Sequence, residues 1–156
     1  MIIDPIGVIL AKTTFFPGRK SLINFWSQSI SGKSSRIAKL PNGCRLETDL
    51  NIPYERMIYL RKEEYPDLLY LRSLLGKGDV FVDVGSNVGI WSLSASAVVG
   101  SRGHVFSFEP NPTTFKKLLR NLDRNHITNV TPIQAAVSSS GGKIYFIAIK
   151  NTTFHV

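Results

Sequence analysis

The sequence predicts an α/β protein with a parallel sheet and a ligand site at the carboxyl ends of its strands. Three observations carry that prediction. First, Val80-Phe81-Val82-Asp83-Val84 is apolar at every position but one and rich in β-branched residues, the pattern of a short strand buried on both faces. Second, the strand runs through Gly85 and Gly89 into Ile90–Val99, a packed helix that stops at Gly100. Third, His104-Val105-Phe106-Ser107-Phe108-Glu109 supplies a second strand directly after that helix. Strand, glycine turn, helix and strand make a nucleotide-type βαβ unit. Its glycines let a ligand approach the backbone, and the helix start offers N–H groups to an anion.

Length and composition set the frame. At 156 residues the chain has the size of one compact domain, and 43% hydrophobic with 19% charged residues is ordinary for a soluble protein. The lone cysteine, Cys44, rules out an internal disulfide and a cysteine-based zinc site and suits a reducing compartment. The apolar start, Met1–Leu10, carries Asp4 and Pro5 without a basic leader. No signal peptide or membrane span is expected, and a cytoplasmic location follows. The net charge of +8 is uneven: residues 1–45 hold seven basic side chains against Asp4 alone. That basic arm is read as a solvated face, with contact to an anionic surface or nucleic acid as the alternative.

Taken in order, Thr13–Lys20 is a turn into an amphipathic helix, Ser21–Ser29, with Leu22, Ile23, Phe25 and Trp26 on its apolar side. Gly32-Lys33-Ser34 resembles the tail of a phosphate-binding loop. Position 27 is serine where the upstream glycine belongs, and no buried strand precedes it, so that reading fails. Asn42-Gly43 predicts a hairpin between Arg36–Pro41 and Cys44–Leu50. Helices follow at Tyr54–Leu60 and Pro66–Leu75, the second with Leu68, Leu69, Leu71, Leu74 and Leu75 as its apolar face. Gly76–Asp79 turns into the central strand. Residues 1–77 are thus expected to form a cap of helices and a hairpin, laid on a nucleotide-binding domain over residues 78–156. Pro110-Asn111-Pro112 ends the second strand, and Thr113 or Thr114 opens a helix through Asn121 or beyond. Lys116, Lys117, Arg120 and Arg124 mark that helix's wet side. A third strand is expected over Val130–Val137, a turn at Ser138–Gly142 and a fourth strand at Lys143–Lys150.

The chemistry concentrates at two acids. Asp83 ends the first strand and Glu109 the second, and neighbouring parallel strands open on one crevice. An ionised carboxylate at Glu109 can accept both hydroxyls of a ribose. With Gly85 and Gly89 between them, the two acids suit an adenosine-containing ligand; the alternative makes them caps for strand-end amides. A dinucleotide fingerprint, G-x-G-x-x-G, would place glycines where Asn87 and Ile90 stand, which disfavours a nicotinamide-dependent oxidoreductase. The motif present, D-x-G-x-N-x-G, suits a smaller anion such as an amino-acid carboxylate, with Asp83 attracting a cationic group. S-adenosylmethionine has both, together with the ribose diol.

Asp83–Gly89, Gly103–Pro112 with its F-E-P, Asn125 and Asn129-Val130 resemble the FkbM-type family of S-adenosylmethionine-dependent methyltransferases. Phe16-Pro17-Gly18-Arg19, Glu55–Leu60 and Gly78–Asp83 are similar too. The resemblance implies a Rossmann-like class I methyltransferase sheet with an amino-terminal α/β cap. It implies O-methyl transfer to a hydroxyl of a sugar, glycolipid or secondary metabolite. The cofactor would be held by Asp83, Gly85, Ser86, Asn87, Gly89, Glu109, Pro110, Ala135 and Ala136. Of these, Gly85, Asn87 and Gly89 would line the methionine end, Glu109 the ribose, and Ala135 with Ala136 the adenine. The family continues into an I-D-V-E-G-like strand beside the glycine-loop strand, which these residues do not contain. The sheet is therefore expected to be incomplete, its turnover weak, and Val80–Val84 an edge open to self-association. No metal is expected, and no general base is assigned: His104 looks structural, His126 lies just past a helix end, His155 falls in the tail, and Glu63 with Glu64 is read as solvated. The alternative from another class is a non-catalytic nucleotide- or nucleic-acid-binding module. The expected partner is a small-molecule or saccharide acceptor, and nucleic acid is not expected.

Overall fold

The computed structural model describes residues 17–18, 21–22, 25–26, 35–60, 65–143 and 145. It opens with a hairpin, β1 (Ser35–Lys39) antiparallel to β2 (Arg45–Asp49), in the register Ile37 opposite Glu47. Asn42 shapes the turn: its Oδ1 accepts from the Cys44 N–H at 3.0 Å, and its Nδ2 donates to the Leu93 carbonyl at 2.9 Å. Helices α1 (Pro53–Tyr59) and α2 (Tyr65–Leu74) follow. Pro53 sits in the first turn of α1, where its fixed φ is pre-set and its missing N–H is no loss.

The second half is β3 (Val80–Val84), α3 (Ile90–Val99), a short 3₁₀ turn (Gly100–Arg102), β4 (His104–Phe108), α4 (Pro112–Arg124) and β5 (Val130–Ile133). All three strands are parallel, in the order β3-β4-β5, with Asp83 beside Ser107 and Phe108 beside Ile133. Helix α3 lies on one face of this sheet. Small side chains at Ser92, Ala95 and Ser96 are buried there beside Leu93 and Val99. The main core runs through both halves, from Ala38, Leu40, Leu46, Ile58 and Leu68 to Val88, Ile90, Leu93, Leu118 and Leu122. A smaller cluster joins Trp26 to Leu50 and Leu60, with Trp26 stacked on Tyr59 at a ring separation of 6.4 Å.

Several expectations need correction. Val80, Val82 and Val84 are 63%, 52% and 60% exposed, so β3 is covered on one face only among the described residues. The reason is that α3 packs on the alternate face, the one carrying Phe81 and Asp83. β5 stops at Ile133, so Ala135 and Ala136 lie in the loop beyond it rather than ending a strand. Leu69 and Leu74 point outward, and the buried face of α2 is Leu68 and Leu71. α4 begins at Pro112, because Asn111 caps it: its Oδ1 accepts from the N–H groups of Thr113 and Thr114. Lys117 is not on the wet side, being ion-paired to the buried Glu55. Ser21, Leu22, Phe25 and Trp26 are helical. The rest of that expected helix lies outside the described residues, as do most of the fourth strand, most of the basic arm, Glu63, Glu64 and His155. No helix among the described residues is long and apolar enough to cross a membrane.

Gly103 is a glycine for space rather than for backbone freedom, since its φ of −98° suits any residue. An added Cβ would stand 2.5 Å from both the Asp79 carbonyl oxygen and the Val99 Cβ, neither of which can swing away. Gly103→Ala is therefore expected to destabilise the protein by about 2–3 kcal/mol, lowering Tm by several degrees. A melting curve that overlays the wild type would contradict this packing.

Candidate functional site

The loop between β3 and α3 is held against the end of β4 by backbone. The Phe108 carbonyl accepts from the N–H groups of Gly85 and Ser86, each at 2.9 Å. Three loop residues occupy the left-handed region: Gly85 (φ 79°), Asn87 (φ 49°) and Gly89 (φ 96°). Asn is the side chain that tolerates this conformation best, which explains a non-glycine at 87. At Gly89 space is short as well, because a Cβ would meet Leu118 Cδ1 at 2.6 Å.

Glu109 sits just past β4 and is buried. Its Oε2 accepts from the Asn87 N–H at 2.9 Å and its Oε1 from the Asn111 N–H at 2.8 Å. It thus joins the glycine loop to the cap of α4. Each oxygen has spent one of its two lone pairs on a backbone amide, leaving one apiece. Asp83 is buried under the start of α3, where its Oδ2 accepts from the Ser92 hydroxyl. Burial pushes its carboxyl above the ordinary range. The Ser92 hydrogen bonds pull the other way, and the charge of Glu109 adds to the rise. The folded protein therefore holds this proton more tightly than the unfolded chain. Stability falls as pH rises from the ordinary carboxylate range through the raised value, then levels off.

Glu109 thus makes the amide contacts that were the alternative to ligand binding, while Asp83 is held by a side-chain hydroxyl. Two features remain unexplained by those contacts. The hydroxyl of Ser86, in the same loop, is buried with no hydrogen-bond partner among the described residues. A cavity of about 750 Å³ opens beside the end of β5, lined by Pro110, Gln134, Ala135, Ala136, Ser139 and Lys143 among others. Of the residues singled out from sequence, the fold gathers Asp83, Gly85, Ser86, Asn87, Gly89 and Glu109 at the strand ends, and Pro110, Ala135 and Ala136 in the adjoining cavity. Glu109 and Pro110 connect the two. His104 bonds to Thr131 on the neighbouring strand, at 2.8 Å, and takes no place here.

Sequence reasoning missed Ser92, Ser107, Asn111 and Asn121. Asn111 carried a usable signal, an N-capping residue directly before a proline at the first helical position. Ser92 and Ser107 carried none, since their contact arises only when α3 folds back onto β4.

Residues 83–155 match the methyltransferase FkbM domain. Hexuronic acid methyltransferase AglP of Haloferax volcanii is 44% identical over 68 residues, which is 44% of this chain and 26% of that protein. The 31-O-demethyl-FK506 methyltransferase FkbM of Streptomyces tacrolimicus is 34% identical over 106 residues, 67% of this chain and 39% of that protein. The chain thus spans less than half the length of either relative. In three dimensions, TYW2 of M. jannaschii, solved in complex with AdoMet, matches with a TM-score of 0.53 at 23% identity, covering 65% of this chain and 43% of that one. The architecture is that of class I methyltransferases, with a small parallel sheet.

Proposed function

We propose that this chain, which carries a match to the FkbM methyltransferase domain over residues 83–155, binds S-adenosylmethionine and serves methyl transfer to an acceptor hydroxyl. The observation that carries the reading is Glu109. It is a buried carboxylate at the strand end with one lone pair left on each oxygen, matched to the two hydroxyls of a ribose. Ser86 supports it, because a buried hydroxyl without a partner costs about 1–3 kcal/mol until something meets it. The loop residues Gly85, Asn87 and Gly89 would face the amino-acid end, with Asp83 beneath attracting its ammonium. Pro110, Ala135 and Ala136 would border the base in the cavity beyond. When bound, the cofactor supplies a methyl group already activated by its sulfonium; the protein's part is alignment. The names of the two curated relatives favour a sugar-acid or metabolite hydroxyl as acceptor.

The test is calorimetric titration with S-adenosylhomocysteine. Glu109→Ala should weaken binding about 10- to 100-fold, the worth of one or two charge-assisted hydrogen bonds. Glu109→Gln should fall between, keeping one acceptor. Unchanged affinity in Glu109→Ala, with the variant folded by circular dichroism, would end the proposal.

A further inference from the structure

We infer that Ser92 and Ser107 are positioning residues, a relay of two hydroxyls that orients Asp83 for the cationic end of the ligand. The inference rests on the cofactor reading above and extends it to groups outside the glycine motif. Ser92 Oγ lies 2.5 Å from Asp83 Oδ2 and 2.6 Å from Ser107 Oγ, and all three side chains are buried. The proton count fixes the direction. A hydroxyl has one hydrogen, and an ionised carboxylate only accepts. Ser92 therefore spends its hydrogen on Asp83 and must accept the hydrogen of Ser107. The relay starts on β4, crosses α3 and ends on β3, three elements tied through one line of hydrogens. The Ser92 backbone N–H, at a helix start whose dipole favours negative charge, also favours the ionised form.

This arrangement opposes the two influences that would neutralise Asp83, its burial and the nearby charge of Glu109. Protonation would reverse the relay. Asp83 would then donate to Ser92, Ser92 would donate to Ser107, and the attraction for an ammonium would vanish. The serines thus hold the carboxylate in place, and Ser92 offsets part of the rise that burial imposes. Glu109 is the charged group that acts on Asp83, from just past β4; among the described residues of α3, Ser92 is the one that acts on it.

S-adenosylhomocysteine is titrated into wild type, Ser92→Ala, Ser107→Ala and Asp83→Ala from about pH 5.5 to 8.5. Ser92→Ala should weaken binding about tenfold at the acid end, the value of one charge-assisted hydrogen bond, and the deficit should shrink as pH rises. Ser107→Ala should show the same trend at smaller amplitude, because its hydrogen reaches the carboxylate through Ser92. Ser92→Thr, which keeps the hydroxyl, should restore the wild-type profile. A pH-independent loss in Ser92→Ala would assign the serine a merely structural part and overturn the inference. Wild-type binding in Asp83→Ala would overturn it too, while leaving the Glu109 result to decide the cofactor reading separately.

Discussion

Lys117→Met is expected to lower the unfolding free energy by about 3–5 kcal/mol, a large share of the 5–15 kcal/mol typical of a domain. Lys117 reaches from α4 to Glu55 on α1, with Nζ 2.8 Å from both carboxylate oxygens. Glu55 is buried, and its Oε2 also accepts from the Asp49 N–H at 2.6 Å. Without the ammonium, that carboxylate stays out of water with one backbone donor for company. The penalty comes from the stranded charge and not from any large intrinsic worth of the pair. Removing the charge as well should therefore repair most of the damage. Glu55→Gln/Lys117→Met keeps an acceptor for Asp49 and is expected to recover at least half of the loss. Urea unfolding reads both effects as shifts in midpoint at unchanged slope. A double variant less stable than Lys117→Met would refute the argument. The exposed pair of Arg120 with Glu47, at 3.2 Å, offers a contrast: solvent screens it, and Arg120→Gln should change stability by less than about 1 kcal/mol.

What could be read beforehand divides along a physical line. The β3–loop–α3 unit and β4 were legible because short apolar runs, glycines and their spacing are local signals. The Asn42-Gly43 hairpin was legible for the same reason. Misjudgements came where tertiary contact decides. The valines of β3 look like a strand buried on both faces, yet the strand's covered face is the one with Phe81 and Asp83. Lys117 looks like a solvated residue of an amphipathic helix until the hairpin and α1 bring Glu55 to it. β5 ends at Ile133 although apolar residues continue, because its ladder partner, β4, ends at Phe108. At the site, the two acids and the glycine loop were visible. Their hydrogen-bond partners were not, since Ser92, Ser107 and Asn111 acquire meaning only from geometry.

Asn121→Leu is the other substitution expected to cost about 3–5 kcal/mol, and its effect should reach the glycine loop. Asn121 is fully buried on α4; its Nδ2 donates to the Val88 carbonyl at 2.8 Å and its Oδ1 accepts from the Glu47 N–H at 2.7 Å. Four residues on, Asn125 does the same for the Arg45 N–H and carbonyl, both at 2.7 Å. Four residues of helix advance about 6 Å, and two residues of strand about 6.8 Å. Two amides on one helix face can therefore serve alternate residues of a strand. α4 thus covers the edge of β2 that β1 leaves unpaired, with side chains in place of a third strand. Leucine matches asparagine in shape but strands a buried N–H and a buried carbonyl, each worth about 1–3 kcal/mol. Asn125 is partly open to solvent, so water can replace it, and Asn125→Leu should cost less than half as much. Because Val88 lies inside the loop between Gly85 and Gly89, Asn121→Leu should also weaken S-adenosylhomocysteine binding, whereas Asn125→Leu should not. Hydrogen exchange at the Glu47 amide provides the local readout, with faster exchange expected only in the Asn121 variant. Equal losses of stability at the two positions would show that burial of the amide does not govern how α4 holds the loop.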